Sequence, residues 1–83
     1  MKVFKFGAEW CGPCKALQTT IDSMVLPYPI QSVDISDEFE LASQYNVRAV
    51  PTLVMVDDSG IEVKRVMGAL TKEKLLEWLD EKF

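Results

Sequence analysis

Two cysteines separated by two residues are the part of this sequence best suited to chemistry. Cys11 and Cys14 enclose Gly12 and Pro13, and a helix that begins near residue 13 would bring the two sulfurs within bonding distance. Cys11 would then lie at the helix N-terminus, where unpaired N–H groups and the helix dipole stabilise a thiolate. Because the thiolate is the attacking form of cysteine, we predict that Cys11 is the nucleophile. Cys14 would then attack the disulfide formed at Cys11.

A zinc site and a structural disulfide are two other uses of such a pair. Zinc takes four ligands, mostly Cys and His. The sequence has two Cys and no His, so a metal would need carboxylates or a second chain. A disulfide that closes so short a loop constrains little of the unfolded chain, because that effect grows with loop length. Both uses stay open, and we predict neither a metal nor a cofactor.

The composition is that of an acidic globular protein. The 83 residues are 48% hydrophobic and 27% charged, with a net charge of −4 and a pI near 4.6. This predicts a single domain over residues 1–83. Nucleic acid is an unsuitable partner, because phosphate binding needs clustered Lys and Arg. No stretch reaches the roughly 18–20 apolar residues of a membrane span. The residues before Cys11 leave no room for a signal peptide, which predicts a cytoplasmic protein.

Hydrophobic patterning predicts the element order β-α-β-α-β-β-α. Strands are predicted over 2–6, 30–35, 52–56 and 61–66, and helices over 13–25, 37–45 and from Thr71 onward. The first strand–helix–strand unit would be parallel and right-handed. Residues 57–60 would form the turn of a hairpin. The predicted fold is α/β, a four-stranded mixed sheet with helices on both faces.

The same patterning assigns helix ends and the core. Asp37 and Glu40 have the spacing of a capping box, and Asn46 is expected in the left-handed conformation that ends the second helix. Gly68 is expected to mark a bend before Thr71, the cap of the last helix. The positions predicted to face inward are Leu17, Ile21, Met24 and Val25, then Phe39, Leu41 and Ala42, then Leu75, Leu76, Trp78, Leu79 and Phe83.

Three segments of the chain resemble the thioredoxin family. Residues 8–15 (AEWCGPCK) resemble the family's active site, residues 47–52 (VRAVPT) its cis-proline loop, and residues 68–70 (GAL) an element before the last helix. The three occur in the family's order. The resemblance implies a thioredoxin-like fold and an enzyme that reduces protein disulfides through a Cys-Gly-Pro-Cys dithiol.

The resemblance also implies roles for the matched residues. Cys11 would be the attacking thiol and Cys14 the resolving thiol. The Val50–Pro51 bond would be cis, and the Val50 backbone would pair with an extended client segment. The implied partners are disulfide-containing client proteins and a thioredoxin-reductase-type recycling enzyme. Ribonucleotide reductase is one candidate client, and the protein itself is expected to be a monomer. The docking face around Cys11 would consist of Trp10, Gly12, Pro13, Ala49, Val50, Pro51, Gly68 and Ala69.

The sequence departs from the family pattern in two ways. It starts almost at the strand that leads to the active site, which implies a minimal thioredoxin of about the size of a glutaredoxin. Lys5 occupies the position of the family's buried Asp, and Ser32 that of the Lys which often accompanies it. Lys5 would either stay charged near Cys14 and favour its thiolate, or extend to the sheet edge without affecting the sulfurs. We expect the second placement, in which Glu9 or solvent takes the proton.

Two alternative functions remain at this stage. A glutaredoxin-like enzyme would work with glutathione, but that family usually has Pro-Tyr between its cysteines and a Gly-Gly-x-x-Asp type of stretch, where this chain has MGALT over 67–71. A thioredoxin-fold binding module would keep its function without Cys11. Turnover of a protein disulfide would separate the enzymes from the module.

Overall fold

The computed structural model describes residues 1–80, so the predicted inward position of Phe83 lies outside the described residues. The elements in chain order are β1 (Lys2–Gly7), α1 (Gly12–Asp22), β2 (Ile30–Asp34), α2 (Phe39–Gln44), β3 (Thr52–Val56), β4 (Glu62–Met67) and α3 (Lys72–Asp80). The strands lie in the order β2-β1-β3-β4. β1 runs parallel to β2 and antiparallel to β3, which is antiparallel to β4. The predicted element order and mixed four-stranded sheet are confirmed.

The sheet carries an apolar core on each face, because its two central strands are apolar on both sides. All five residues of β3 are buried, as its continuous apolar run predicts. On one face Val3 and Met55 pack against Leu17 of α1 and Leu75 of α3. On the other face Phe4 and Phe6 pack against the α2 side of the chain, which supplies Ala42 and Tyr45. Helices therefore cover both faces, as predicted.

α1 ends three residues earlier than its hydrophobic pattern predicts. Ser23 caps it at Asp22, and both the N–H and the Oγ of Ser23 donate to the Thr20 carbonyl oxygen, the Oγ at 2.7 Å. The backbone therefore leaves the helix before Val25, which is 97% exposed instead of facing inward. Met24 still packs, partly buried, against the core.

α2 begins without the predicted capping box. Its N-cap is Glu38, and no side chain caps the helix. The Asp34 carbonyl oxygen accepts hydrogen bonds from the Asp37 and Glu38 N–H groups instead. This start turns Phe39 outward, so that it is 71% exposed, and the prediction that it faces inward is wrong. Leu76 of α3 is also exposed, at 40%.

The remaining local predictions are confirmed. Asn46 has a φ of 54°, and Gly68 at its bend has a φ of 100°. The Thr71 Oγ1 accepts the Lys74 N–H at 3.2 Å, as a cap does. Trp78 is buried in the core. No helix formed by residues 1–80 is long and apolar enough to cross a membrane.

Two phenylalanines test the core assignment as a matched pair. Phe6 is fully buried and Phe39 is 71% exposed. We expect Phe6→Leu to lower the free energy of unfolding by about 1–3 kcal/mol, because it leaves buried neighbours without contacts. Phe39→Leu should change it by less than about 0.5 kcal/mol. Urea unfolding of the oxidised proteins measures both, and equal losses would contradict the placement of Phe39.

Candidate active site

The loop between β1 and α1 holds Cys11 at the start of a helix. The Ala8 carbonyl oxygen accepts the Cys11 N–H at 3.2 Å, and Cys11 is the N-cap of α1, with Pro13 in the first turn. The Cys14 N–H donates to the Cys11 Sγ at 3.1 Å. One of the helix's unpaired donors therefore points at this sulfur, as the spacing predicts, and the same donor would stabilise a thiolate there.

The two cysteines are joined by a disulfide. Their Cα atoms lie 5.2 Å apart, so the structure is that of the oxidised protein. Cys11 and Cys14 are 5% and 4% exposed, and they form a small cluster with Ala8. Ile35 and Val50 pack against this cluster. The sulfurs are therefore largely shielded from water, which leaves only a restricted approach to them.

The predicted cis-proline loop lies beside the disulfide. The Val50–Pro51 bond is cis, as the resemblance implies. The Ala49 carbonyl oxygen accepts the Thr52 Oγ1–H at 2.6 Å. The Pro51 carbonyl oxygen accepts the Gly68 N–H at 3.0 Å. These bonds hold two of the three matched segments against each other, with Val50 on the side of the sulfurs.

Most residues of the predicted docking face lie at the surface. Trp10 is 74% exposed, Val50 is half-buried and Pro51 is buried. Met67, which the sequence analysis missed, is 61% exposed at the end of β4, opposite Thr52. An apolar residue directly before the Gly68 bend is the signal that could have drawn attention to it. The other exposed members are Gly12, Pro13, Ala49, Gly68 and Ala69.

An open cavity of about 240 Å³ lies beside Cys14. A Cβ at Gly7 would lie 3.4 Å from the Cys14 Sγ, so the lack of a side chain there leaves the sulfur accessible from this side. Lys5 also lines the cavity and is 8% exposed. Its side chain is therefore largely buried in the cavity that Cys14 also lines, while its ammonium is not closed off from water, because no side-chain nitrogen of the described residues is both buried and without a partner. The remaining lining residues are Ala8, Glu9, Lys15, Gln18, Ser32, Val33 and Asp34.

Comparisons with known proteins agree on one family. The family model described as Thioredoxin matches residues 1–81. The thioredoxin of Chlamydia trachomatis is 38% identical over 79 residues, which cover 92% of this chain and 76% of that protein. The thioredoxin of Pseudomonas aeruginosa is 34% identical over 79 residues, which cover 90% and 72% of the two chains. The chain belongs to the thioredoxin family.

Solved thioredoxin structures share the fold. The structure of Fasciola hepatica thioredoxin superimposes with a TM-score of 0.81 and 36% identity, over 93% of this chain and 75% of that one. A mutant thioredoxin from Halobacterium salinarum gives a TM-score of 0.80 and 32% identity, over 98% and 75%. This thioredoxin is therefore a thiol–disulfide oxidoreductase that reduces protein disulfides by dithiol–disulfide exchange. The family match favours thioredoxin over glutaredoxin and over a non-catalytic module.

Burial shifts the titration of Lys5 in this thioredoxin. It lowers the pKa of Lys5 below its ordinary value of 10.5, because a charged ammonium loses hydration, and the attraction of Asp22 offsets part of this. Within residues 1–80 the ammonium has no hydrogen-bond partner and no carboxylate at ion-pair distance. A cation in this position therefore costs stability in the oxidised protein.

Removing that cation should stabilise the oxidised protein. We expect Lys5→Met to raise the free energy of unfolding by roughly 0.5–1 kcal/mol at neutral pH, because the ammonium loses only part of its hydration on folding. Between the lowered pKa and the ordinary value, the folded wild type binds fewer protons than the unfolded chain, so its stability rises with pH. The advantage of the Met variant should therefore shrink towards about pH 10.

Urea unfolding of wild type and variant with the disulfide intact, at neutral and alkaline pH, measures this difference. Lys15→Met is the control, because Lys15 lines the same cavity but is exposed. It should change stability by less than about 0.5 kcal/mol. An equal gain for Lys5→Met at both pH values would contradict the titration argument.

Proposed function

We propose that Cys11 is the attacking thiol and Cys14 the resolving thiol of this thioredoxin. The observation that carries the assignment is the Cys14 N–H donated to the Cys11 Sγ at the N-cap of α1. The exposed Trp10 directly precedes Cys11, whereas Cys14 faces the cavity lined by Gly7. A client disulfide approaching the exposed face therefore meets Cys11 first.

The reaction proceeds in two exchanges. The Cys11 thiolate attacks one client sulfur, and the other client sulfur leaves as a thiolate that takes a proton from water. Cys14 then loses its proton and attacks the Cys11 sulfur, which releases the second client thiolate and forms the Cys11–Cys14 disulfide. The Cys14 proton goes to the solvent, and the second client thiolate takes a proton from it. The client has then gained two electrons and two protons, and the oxidised protein is the product.

The exposed apolar surface around the disulfide is the proposed docking face. It consists of the residues predicted from the sequence together with Met67. The hydrogen bond from Gly68 to Pro51 supports this assignment, because it keeps two loops of the face in a fixed relation. The Val50 backbone beside the sulfurs would pair with an extended client segment, as an added strand does.

The wider setting is proposed as follows. Residues 1–83 act as a single, monomeric domain in the cytoplasm, on clients whose disulfides reach the docking face. A thioredoxin-reductase-type enzyme returns the dithiol state, and ribonucleotide reductase is one candidate client. The net charge of −4 supports protein over nucleic acid as the partner.

Serine variants of the two cysteines separate the proposed roles. Cys11→Ser should reduce insulin no faster than the uncatalysed reaction and should form no covalent adduct, because the nucleophile is gone. Cys14→Ser should also lose turnover but should accumulate a mixed disulfide through Cys11. Mass spectrometry of the reaction mixtures detects the adduct. An adduct formed by Cys11→Ser, in place of Cys14→Ser, would reverse the assignment.

Trp10 tests the docking face. We expect Trp10→Ala to lower kcat/KM for insulin by roughly 5–30-fold, as the loss of an aromatic contact worth about 1–2 kcal/mol would. The rate with the small substrate hydroxyethyl disulfide should change by less than about twofold, because that substrate makes few contacts beyond the sulfurs.

Ile61→Ala is the matched control for Trp10→Ala. Ile61 is 64% exposed and follows the turn after β3, at the opposite end of the sheet from Cys11. This variant should keep both rates. A loss for Trp10→Ala that is equal on insulin and on hydroxyethyl disulfide would place Trp10 in the chemistry and not in docking.

A further inference from the structure

The Lys5 side chain is largely buried in the oxidised protein, but its ammonium is not closed off from water. It extends from β1 into the cavity beside Cys14 and is 8% exposed. The charged groups facing the cavity are Glu9 from the loop after β1, Lys15 from α1 and Asp34 from β2. None of the carboxylates of residues 1–80 lies within ion-pair distance of Lys5, although Asp22 of α1 attracts it from further away.

The reaction itself produces a further anion at this cavity. In the disulfide, Cys14 carries no charge and its sulfur faces Gly7 and the cavity. Reduction creates a thiol or a thiolate at the same sulfur. A cation that lines the same cavity favours the thiolate through the attraction between opposite charges.

We propose that Lys5 is a positioning residue whose ammonium stabilises the Cys14 thiolate formed on reduction, and that it thereby makes the cysteine pair a stronger oxidant. This rests on the proposed role of Cys14 as the resolving thiol. Reduction of the disulfide adds two electrons and breaks the S–S bond. With Lys5 charged, a larger fraction of Cys14 is thiolate in the reduced protein, so the pair takes up fewer protons than it would beside a neutral residue, with one proton as the upper limit.

The same charge assists the resolving step. In the mixed disulfide between Cys11 and a client, Cys14 is the only thiol of the pair. Its proton leaves to water in the open cavity, and Lys5 holds the resulting thiolate. That thiolate attacks the Cys11 sulfur, and the client sulfur leaves as a thiolate. A carboxylate base beside Cys14 is not required for this step.

Redox equilibrium tests the proposal directly. The fraction of oxidised protein is measured by thiol alkylation and mass spectrometry in buffers of reduced and oxidised dithiothreitol. We expect Lys5→Met to shift the equilibrium constant about tenfold towards the disulfide, which is about 30 mV on the two-electron scale. Lys5→Arg should keep the wild-type value, because it keeps the charge. A shift of less than about twofold for Lys5→Met would overturn the proposal.

The pH dependence of the reduction potential separates an effect of the Lys5 charge from a merely structural effect. One proton fewer per two electrons flattens the slope of the potential against pH by up to about 30 mV per pH unit. Wild type and Lys5→Arg should therefore show a shallower slope than Lys5→Met around neutral pH. Equal slopes for all three proteins would overturn the proposal.

A control and an independent measurement complete the test. Lys2→Met removes the same charge from the exposed start of β1 and should leave the potential unchanged. Lys5→Met should stabilise the oxidised form against urea more than the reduced form, by an amount equal to the shift in redox free energy.

If the reduction potential of Lys5→Met fails to shift while Cys11→Ser still abolishes turnover, only the Lys5 proposal falls. If Cys11→Ser stays active, the proposed function falls, whatever the potential does.

Discussion

The hydrogen bond from the Cys14 N–H to the Cys11 Sγ is the contact on which the rest of the site depends. It exists because α1 begins directly after Cys11, so that the first turn of the helix presents its unpaired donors to that side chain. The Ala8 carbonyl oxygen holds the Cys11 N–H from the other side. β1 and α1 therefore fix the sulfur between them, and both elements are anchored in the core by residues such as Phe6 and Leu17. The chemistry of the loop is thus a consequence of where a strand ends and a helix begins.

Shielded cysteine sulfurs next to an exposed apolar surface suit disulfide exchange with client proteins. The two cysteines are 5% and 4% exposed, whereas Trp10 and Met67 beside them are among the most exposed large apolar side chains of the described residues. The reacting atoms are largely shielded from water, and a client gains contact area by covering them. The bond between Gly68 and Pro51 joins segments that are distant in the sequence. Because of it, the face is present before a client arrives and costs little ordering on binding.

The sequence predicted the parts of this structure that local chemistry determines. The cysteine spacing, the buried run of β3 and the left-handed Asn46 each follow from a few neighbouring residues, whereas the cis bond at Pro51 was implied by the family resemblance. The errors arose where the hydrophobic pattern of a helix competed with local hydrogen bonds that set its ends. Phe39 fits an inward position of a helix that begins at 37, but the Asp34 carbonyl oxygen accepts the next N–H groups and starts the helix two residues later. Likewise, the hydrophobic pattern of α1 continues to Val25, while Ser23 ends the helix first.

The burial of the Lys5 side chain could not be predicted from local sequence, because lysine is rarely buried and the strand pattern gives no sign of it. A lysine with four methylenes usually extends to water, and β2, next to it, is an edge strand that would allow this. The Lys5 ammonium does reach water, because no side-chain nitrogen of the described residues is both buried and without a partner, while the rest of the side chain lines the cavity beside Cys14. The cost of the cation is thereby kept moderate in the oxidised state, and the cation lines the same cavity as Cys14, where the resolving step makes an anion. A residue that costs stability in one redox state and stabilises the other necessarily shifts the equilibrium between them, which is why Lys5 belongs to the chemistry of this site more than to its packing.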